Sequence, residues 1–259
     1  MILNPLIIGF VVFAVILAGA FAGWVLRRRL RPHHLTDETK NLVSVSMAVV
    51  ATVSALVLGL LISNANGSFI ALGGQVTTIS AQILRLDQML RRYGPDTNPA
   101  REALRQYAES KAVDLFPDNP ADVKLANPTT YEWLQQLEDL MLALKPANSR
   151  DQWWLGQALT LAAKIGDTRW LLAEQVEQGT PNAFLALVVF WLTLLFASFG
   201  LFAPPNLISA VTLTLCALAV AGAIGMTLEL EKGFGGLVHV SPQPMRHAVK
   251  ELKSLPLDE

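Results

Sequence analysis

Three groups of residues are of types that chemistry uses. His33 and His34 stand beside Arg27, Arg28, Arg29 and Arg31. Imidazoles bind transition metals, but adjacent histidines point different ways on most backbones, and no carboxylate or cysteine stands at a ligand spacing. The pair reads as an interface anchor. Arg85, Asp87, Arg91, Arg92, Arg101 and Arg105 gather around the turn Tyr93-Gly94-Pro95. Such a cluster is commonly a solvated ion-pair network; the sharper reading is a vestibule that concentrates anions, with Arg85, Arg91, Arg92 and Arg101 as its charges. Trp153-Trp154 and Trp170 suit core or membrane-interface packing better than a ligand platform. Gly73-Gly74 and Gly235-Gly236 lack the strand-turn-helix setting of a phosphate loop. No serine, cysteine or histidine triad is visible. The sequence therefore gives no catalytic residue, no cofactor and no metal ligand, and it reads as a protein that is not an enzyme.

The elements that hold these residues follow from where charge is missing. Of 259 residues, 52% are hydrophobic and only 16% charged, against about 25% charged in a soluble domain. The deficit comes in blocks: Met1–Leu26, Asn41–Leu84 and Gln178–Leu228 carry no charge. A bilayer imposes that pattern, because a charge at its centre costs several kcal/mol. Four stretches reach the roughly 20 residues needed to span: Pro5–Leu26, Leu42–Ile62, Phe184–Phe202 and Leu207–Leu228. The first has no positive residue ahead of it and is too long for a cleaved leader, so it reads as a retained span. Thr180-Pro181 caps the third span, and Ala203-Pro204-Pro205-Asn206 turns the chain between the third and fourth. The net charge of −1 gives no basic field for nucleic acid, and the single Cys216 lies in an apolar run.

An all-α membrane protein is predicted, with spans 1 and 2 in residues 1–64, a helical extramembrane domain over 65–180, spans 3 and 4 in 181–229, and a tail with a short amphipathic helix over 230–259. In the domain Val76, Ile79, Ile83, Leu86 and Leu90 repeat at helical spacing. Gly94-Pro95 ends that helix, and Asn98-Pro99 starts one carrying Leu104, Tyr107 and Leu115. Thr129–Glu132 and Ser149–Gln152 read as capping boxes, and Ser241-Pro242 as the start of a helix through Met245, Ala248 and Leu252. With four spans, both termini and the domain share one side of the membrane. Five positive residues in the short first loop, Arg27, Arg28, Arg29, Arg31 and Lys40, put that loop in the cytoplasm and the domain outside.

On a helical wheel the second span divides. Ser44, Ala48, Ala51, Thr52, Ala55, Gly59 and Ser63 make a small face; Val49, Val53, Val57 and Leu60 make a bulkier one. Small residues four apart allow close helix approach, either within one bundle or between subunits. The first span (Ala14, Ala18, Ala22, Gly19, Gly23) and the fourth (Ala217, Ala221, Gly225) carry similar stripes. The third is aromatic, so spans one, two and four are expected to pack tightly and span three to face lipid. The candidate pore or packing positions are Ala51, Val53, Ala55, Val57, Gly59 and Leu60. No span carries an ionisable residue in its middle, which disfavours proton relays, coupled transport and voltage sensing; it is compatible with a channel, since a pore can gate through a hydrophobic constriction.

Several segments together resemble the bacterial bestrophin-like domain family: Arg85-Leu86-Asp87 leading to Tyr93-Gly94-Pro95 and Ala100-Arg101; Thr168-Arg169-Trp170-Leu171-Leu172 with Glu174-Gln175; Phe190-Trp191-Leu192; Phe199–Pro204; and Ala221–Ile224 through Leu228-Glu229-Leu230. The resemblance runs from about Leu42 to Leu252. The family tends to have a proline before the phenylalanine that follows the last span; here Gly233 precedes Phe234. Bestrophins are oligomeric anion channels with four spans, a helical domain between spans two and three, and a pore lined by the second span. The resemblance thus implies a homo-oligomer in a bacterial plasma membrane that passes small ions, with the lipid bilayer and further copies of itself as partners. Bestrophin domains are cytosolic, whereas the loop arginines place this one outside, and no acidic calcium-clasp run is visible. The alternative function is a non-conducting scaffold or sensor whose domain binds a partner.

Overall fold

The structure is a computed structural model and describes residues 5–30, 36–177, 182–204 and 206–254. His33-His34, Arg31, Thr180-Pro181 and Pro205 lie outside the described residues. Among the described residues there is no strand. The helices are α1 (Pro5–Arg29), α2 (Asp37–Tyr93), α3 (Asn98–Leu115), α4 (Pro128–Leu142), α5 (Ser149–Glu177), α6 (Asn182–Phe202), α7 (Leu207–Lys232) and α8 (Gln243–Ser254). The chain divides into two compact units, Met1–Gly67 with Thr180–Glu231, and Ser68–Gly179 with Lys232–Glu259. Four helices, α1, α2, α6 and α7, are long and apolar enough to cross a membrane.

In the first unit the core is Val12, Ile16 and Ala20 of α1, Leu61 of α2, Val188, Leu192, Leu195 and Phe196 of α6, and Ala217, Ala221 and Ile224 of α7. The most extensive helix–helix contact among the described residues is that of α1 with α6, which corrects the expectation that spans one, two and four make the tight contacts. A Cβ at Gly19 would lie 2.8 Å from Thr193, and one at Gly23 would overlap the Ala197 carbonyl; a Cβ at Gly200 would overlap Ala20. Thr193, Ala197 and Gly200 form a small stripe hidden among aromatics. The aromatics Phe184, Phe190 and Phe199 are exposed. With lipid tails as apolar as leucine, it is this close approach that holds helices together. Arg27 at the end of α1 donates to the Ala203 carbonyl at the end of α6, where an orphan carbonyl and the negative helix terminus favour a cation. Asn206 opens α7, its Oδ1 accepting from Ser209 N at 2.8 Å.

The second unit is a helical domain with a water-type core. Val76, Ile79, Ile83, Leu86 and Leu90 of α2 are buried, together with Leu104, Tyr107 and Leu115 of α3. Leu134, Leu137 and Met141 of α4 and Ala162, Ile165 and Leu172 of α5 complete it. No break separates the second span from the domain's first helix: α2 runs for 57 residues, through Asn64, Gly67 and Gly73-Gly74. Gly94, at φ 134, ends it in a conformation that favours glycine. The caps differ from those expected. Asn127, not the Thr129 box, starts α4, accepting from Thr129 N at 3.2 Å. Asn148 starts α5, accepting from Asp151 N at 2.9 Å and donating to its carboxylate at 2.8 Å. In both cases an asparagine ahead of the box reaches the first-turn amides itself.

The tail belongs to this domain. Phe234, Val240, Met245 and Leu252 are part of its core. Gly233 adopts φ 61, which a proline ring, fixed near −65°, cannot reach. Its carbonyl then accepts from Val240 N at 2.9 Å, closing the loop that leads into α8.

Candidate functional site

Two places carry the residues singled out by sequence. The first is the membrane part of α2. Only 11% of its most apolar window is buried, against 28% for α1 and α6 and 17% for α7. The side that its own bundle covers runs through Ala51, Ser54, Val57, Leu58 and Leu61. That stripe lies between the two faces of the helical wheel. Ala51 and Val57 are thus half-buried against the bundle, while Val53, Ala55, Gly59 and Leu60 are exposed. Nothing approaches a Cβ built on Gly59 within 4 Å. The exposed side combines Ser44, Ala48, Thr52, Ala55, Gly59 and Ser63 with Val49, Val53, Leu56 and Leu60. Thr52 Oγ1 donates a hydrogen bond to Ala48 O at 2.9 Å. Such back-bonding lets a hydroxyl face lipid, a neighbouring helix or water without an unpaired donor.

At its amino-terminal part the α2 face opens on a cleft of about 550 Å³ shared with α6 and α7. Ser44, Ser198, Ser209 and Thr212 supply hydroxyls there, and Met47 and Phe199 supply apolar wall. The lining holds no charge, which suits an acyl chain or another helix rather than a resident ion.

The second place is the domain's charged residues. Arg85, Arg91 and Arg92 are exposed, and the Arg92 guanidinium lies 5.3 Å from the Trp154 ring. Arg101 is different: it is 1% exposed, and its Nε donates to Asp87 Oδ1 at 3.0 Å, an equally buried carboxylate. Its charge is used up inside the domain, joining α3 to α2. The segments that carried the family resemblance, Arg85-Leu86-Asp87 and Ala100-Arg101, thus meet in one ion pair.

Sequence reasoning missed a further polar cluster between α3, α4 and α5. Asp114 accepts from Asn127 Nδ2 at 2.7 Å and from Thr130 Oγ1 at 2.5 Å. Lys111, 1% exposed, donates to Leu125 O at 2.8 Å. Arg169, also buried, places its guanidinium 4.2 Å from the Tyr131 ring and 4.7 Å from the Trp170 ring, a cation–π arrangement. Tyr107 is fully buried one turn before Lys111. Burial lowers the Lys111 ammonium to about 8; Asp114 opposes that and Arg169 adds to it. Burial also raises the Tyr107 phenol above its usual range, with Arg169 opposing and Asp114 assisting. The only signal for this cluster in sequence was the Thr168-Arg169-Trp170 segment; the rest needed α3 and α4 to be brought to it. Among the described residues no group of histidine, cysteine and carboxylate side chains is arranged to hold a metal.

A family model, Bestrophin-like domain, matches residues 14–245. No curated protein and no solved structure matches the chain.

Proposed function

Taking as premise that the chain belongs to the Bestrophin-like domain family, we propose that it assembles into a homo-oligomer and passes small ions passively, with weak preference for anions. The observation that carries this reading is the bare side of α2. Of the four membrane helices it is the least covered by its own chain, and its uncovered side mixes hydroxyls and small residues with a row of valines and leucines. Around a symmetry axis, small residues suit the seam between copies, and Val53 and Leu60 suit a hydrophobic neck that gates by wetting. The described membrane helices place no ionisable residue mid-span, which favours passive flow over coupled transport. Arg85, Arg91 and Arg92, exposed on the domain, raise local anion concentration. Arg101 does not join them, being neutralised by Asp87.

In this reading the protein sits in a bacterial plasma membrane with the Arg27–Lys40 loop in the cytoplasm and the domain and termini outside. A cytoplasm-active reporter fused after Glu259 tests that orientation: strong activity reverses it.

Conduction is tested with purified protein in liposomes, following chloride and potassium against protein-free vesicles. Chloride flux modestly above potassium flux is expected. Val53→Ser should ease wetting and raise flux, whereas Val57→Ser, turned to the bundle's own core, should lower stability without raising it. Absence of flux from folded oligomers across pH and calcium would sink the channel reading and leave a membrane scaffold in its place.

A further inference from the structure

We propose that Tyr107, Lys111 and Arg169 form a site inside the helical domain for one small monovalent anion of halide size. The argument begins with charge. Lys111 and Arg169 are both buried, and neither makes an ion pair with a carboxylate among the described residues. The carboxylate of the cluster, Asp114, already accepts from Asn127 and Thr130. Isolated buried cations cost several kcal/mol each unless compensated. Lys111 has three donors, of which the Leu125 carbonyl takes one.

Hydrogen bonding points the same way. Tyr107 Oη and Arg169 Nε are buried polar atoms that meet no hydrogen-bond partner among the described residues. Buried donors are almost always satisfied, and leaving one unmade costs about 1–3 kcal/mol. Tyr107 and Lys111 are four residues apart on one face of α3. Arg169 reaches the cluster from α5 by way of Tyr131, the neighbour of the Thr130 that binds Asp114. The groups thus supply a hydroxyl donor, an ammonium and a guanidinium N–H, and the one acceptor among them, the phenol oxygen, carries no charge. A water would satisfy the hydroxyl but leave the excess positive charge in place; an anion answers both. Burial of Tyr107, Lys111 and Arg169 in the domain interior restricts it to a small ion rather than a phosphate ester.

The experiment compares thermal unfolding of the full-length protein in detergent in sodium chloride, sodium bromide and sodium gluconate at equal ionic strength. Halide should raise the melting temperature by about 2–4 °C over gluconate. Tyr107→Phe removes only the hydroxyl. It should abolish most of the halide increment while leaving the gluconate value unchanged or higher, and Lys111→Met should also abolish the increment. A bromide anomalous peak beside Lys111 in crystals gives a reading that does not depend on any variant. Equal melting temperatures in all three salts, or a full halide increment in Tyr107→Phe, would overturn the site and leave a buried water. Because stability is read rather than flux, failure here is separate from failure of the channel reading.

Discussion

Helix α1 meets α6 through Gly19, Gly23 and Gly200, with backbone against backbone. Helix α2 meets α3 through Asp87 and Arg101, a charged pair buried in the domain. The first unit has no reason to gather apolar side chains, because lipid offers them the same company, so it gains from dispersion at close range. The domain is driven by expulsion of apolar surface from water. Within that core a pair of complementary charges fixes which residue of one helix faces which of the other. The difference also shows in what each unit leaves open. The bundle leaves a whole side of α2 uncovered, while the domain encloses Asp87, Arg101, Lys111 and Asp114.

The comparison is broken most severely at the ion pair. Asp87→Ala leaves the Arg101 charge buried without its carboxylate, and a loss of about 3–5 kcal/mol is expected. Thermal unfolding followed by circular dichroism in detergent measures it. A loss below about 1 kcal/mol would show that the pair does not hold α3 to α2.

A smaller effect comes from pH. In the folded domain Lys111 keeps its proton only up to about 8, and in the unfolded chain up to its ordinary 10.5. Between those values the unfolded chain binds more protons, so stability rises with pH, by at most about 3 kcal/mol. Above pH 10 the trend reverses, because the buried Tyr107 phenol holds its proton longer than it does unfolded. Unfolding in gluconate buffer from pH 7 to 10 should show the rise, and Lys111→Met should flatten it. A wild-type profile that falls over that range contradicts the assignment.

The bundle is more sensitive to volume than to charge. Gly23→Ala puts a methyl against the Ala197 carbonyl, a backbone atom that cannot step aside without moving α6. Overpacking of this kind costs about 1–3 kcal/mol, and the loss should appear as a lower melting temperature and a shorter-lived monodisperse peak in detergent. Wild-type behaviour would mean that α1 and α6 are not in close register.

What sequence conveyed follows the same division. The stripe from Val76 to Leu90 and the stop at Gly94 were legible, because period and positive φ are local properties. That α2 continues through Asn64, Gly67 and Gly73-Gly74 was not legible. Each glycine argues against helix by about 1 kcal/mol, and here that cost is outweighed by a helix fixed on either side. The small stripe of α6 was masked by the phenylalanines among which it runs, of which Phe184, Phe190 and Phe199 are exposed and Phe196 is buried. Arg101 passed for a surface charge because Asp87 lies 14 residues back, across the turn at Gly94 and Pro95. The Lys111 cluster draws on three helices, and only the Thr168-Arg169-Trp170 segment hinted at it.

The smallest effect on the protomer, and the one that sharpens the comparison most, is expected at Gly59. The glycines of α1 and α6 are needed within one chain, whereas a Cβ on Gly59 would meet no neighbouring element of its own chain within 4 Å. Gly59→Leu should therefore not destabilise the protomer, and should raise its stability by up to about 1 kcal/mol through helix propensity. The added isobutyl group would stand where a neighbouring copy of α2 approaches, so the oligomer should weaken. Leu60→Met, adjacent but nearly constant in volume, should leave assembly intact. Mass photometry in detergent reads the subunit count, and thermal unfolding reads the protomer. Smaller particles with unchanged secondary structure place Gly59 at a subunit seam. Intact oligomers with altered flux in liposomes place it on the pore side. Intact oligomers with unaltered flux show that this side of α2 faces only lipid, and the reading of α2 as the helix around which copies assemble then fails.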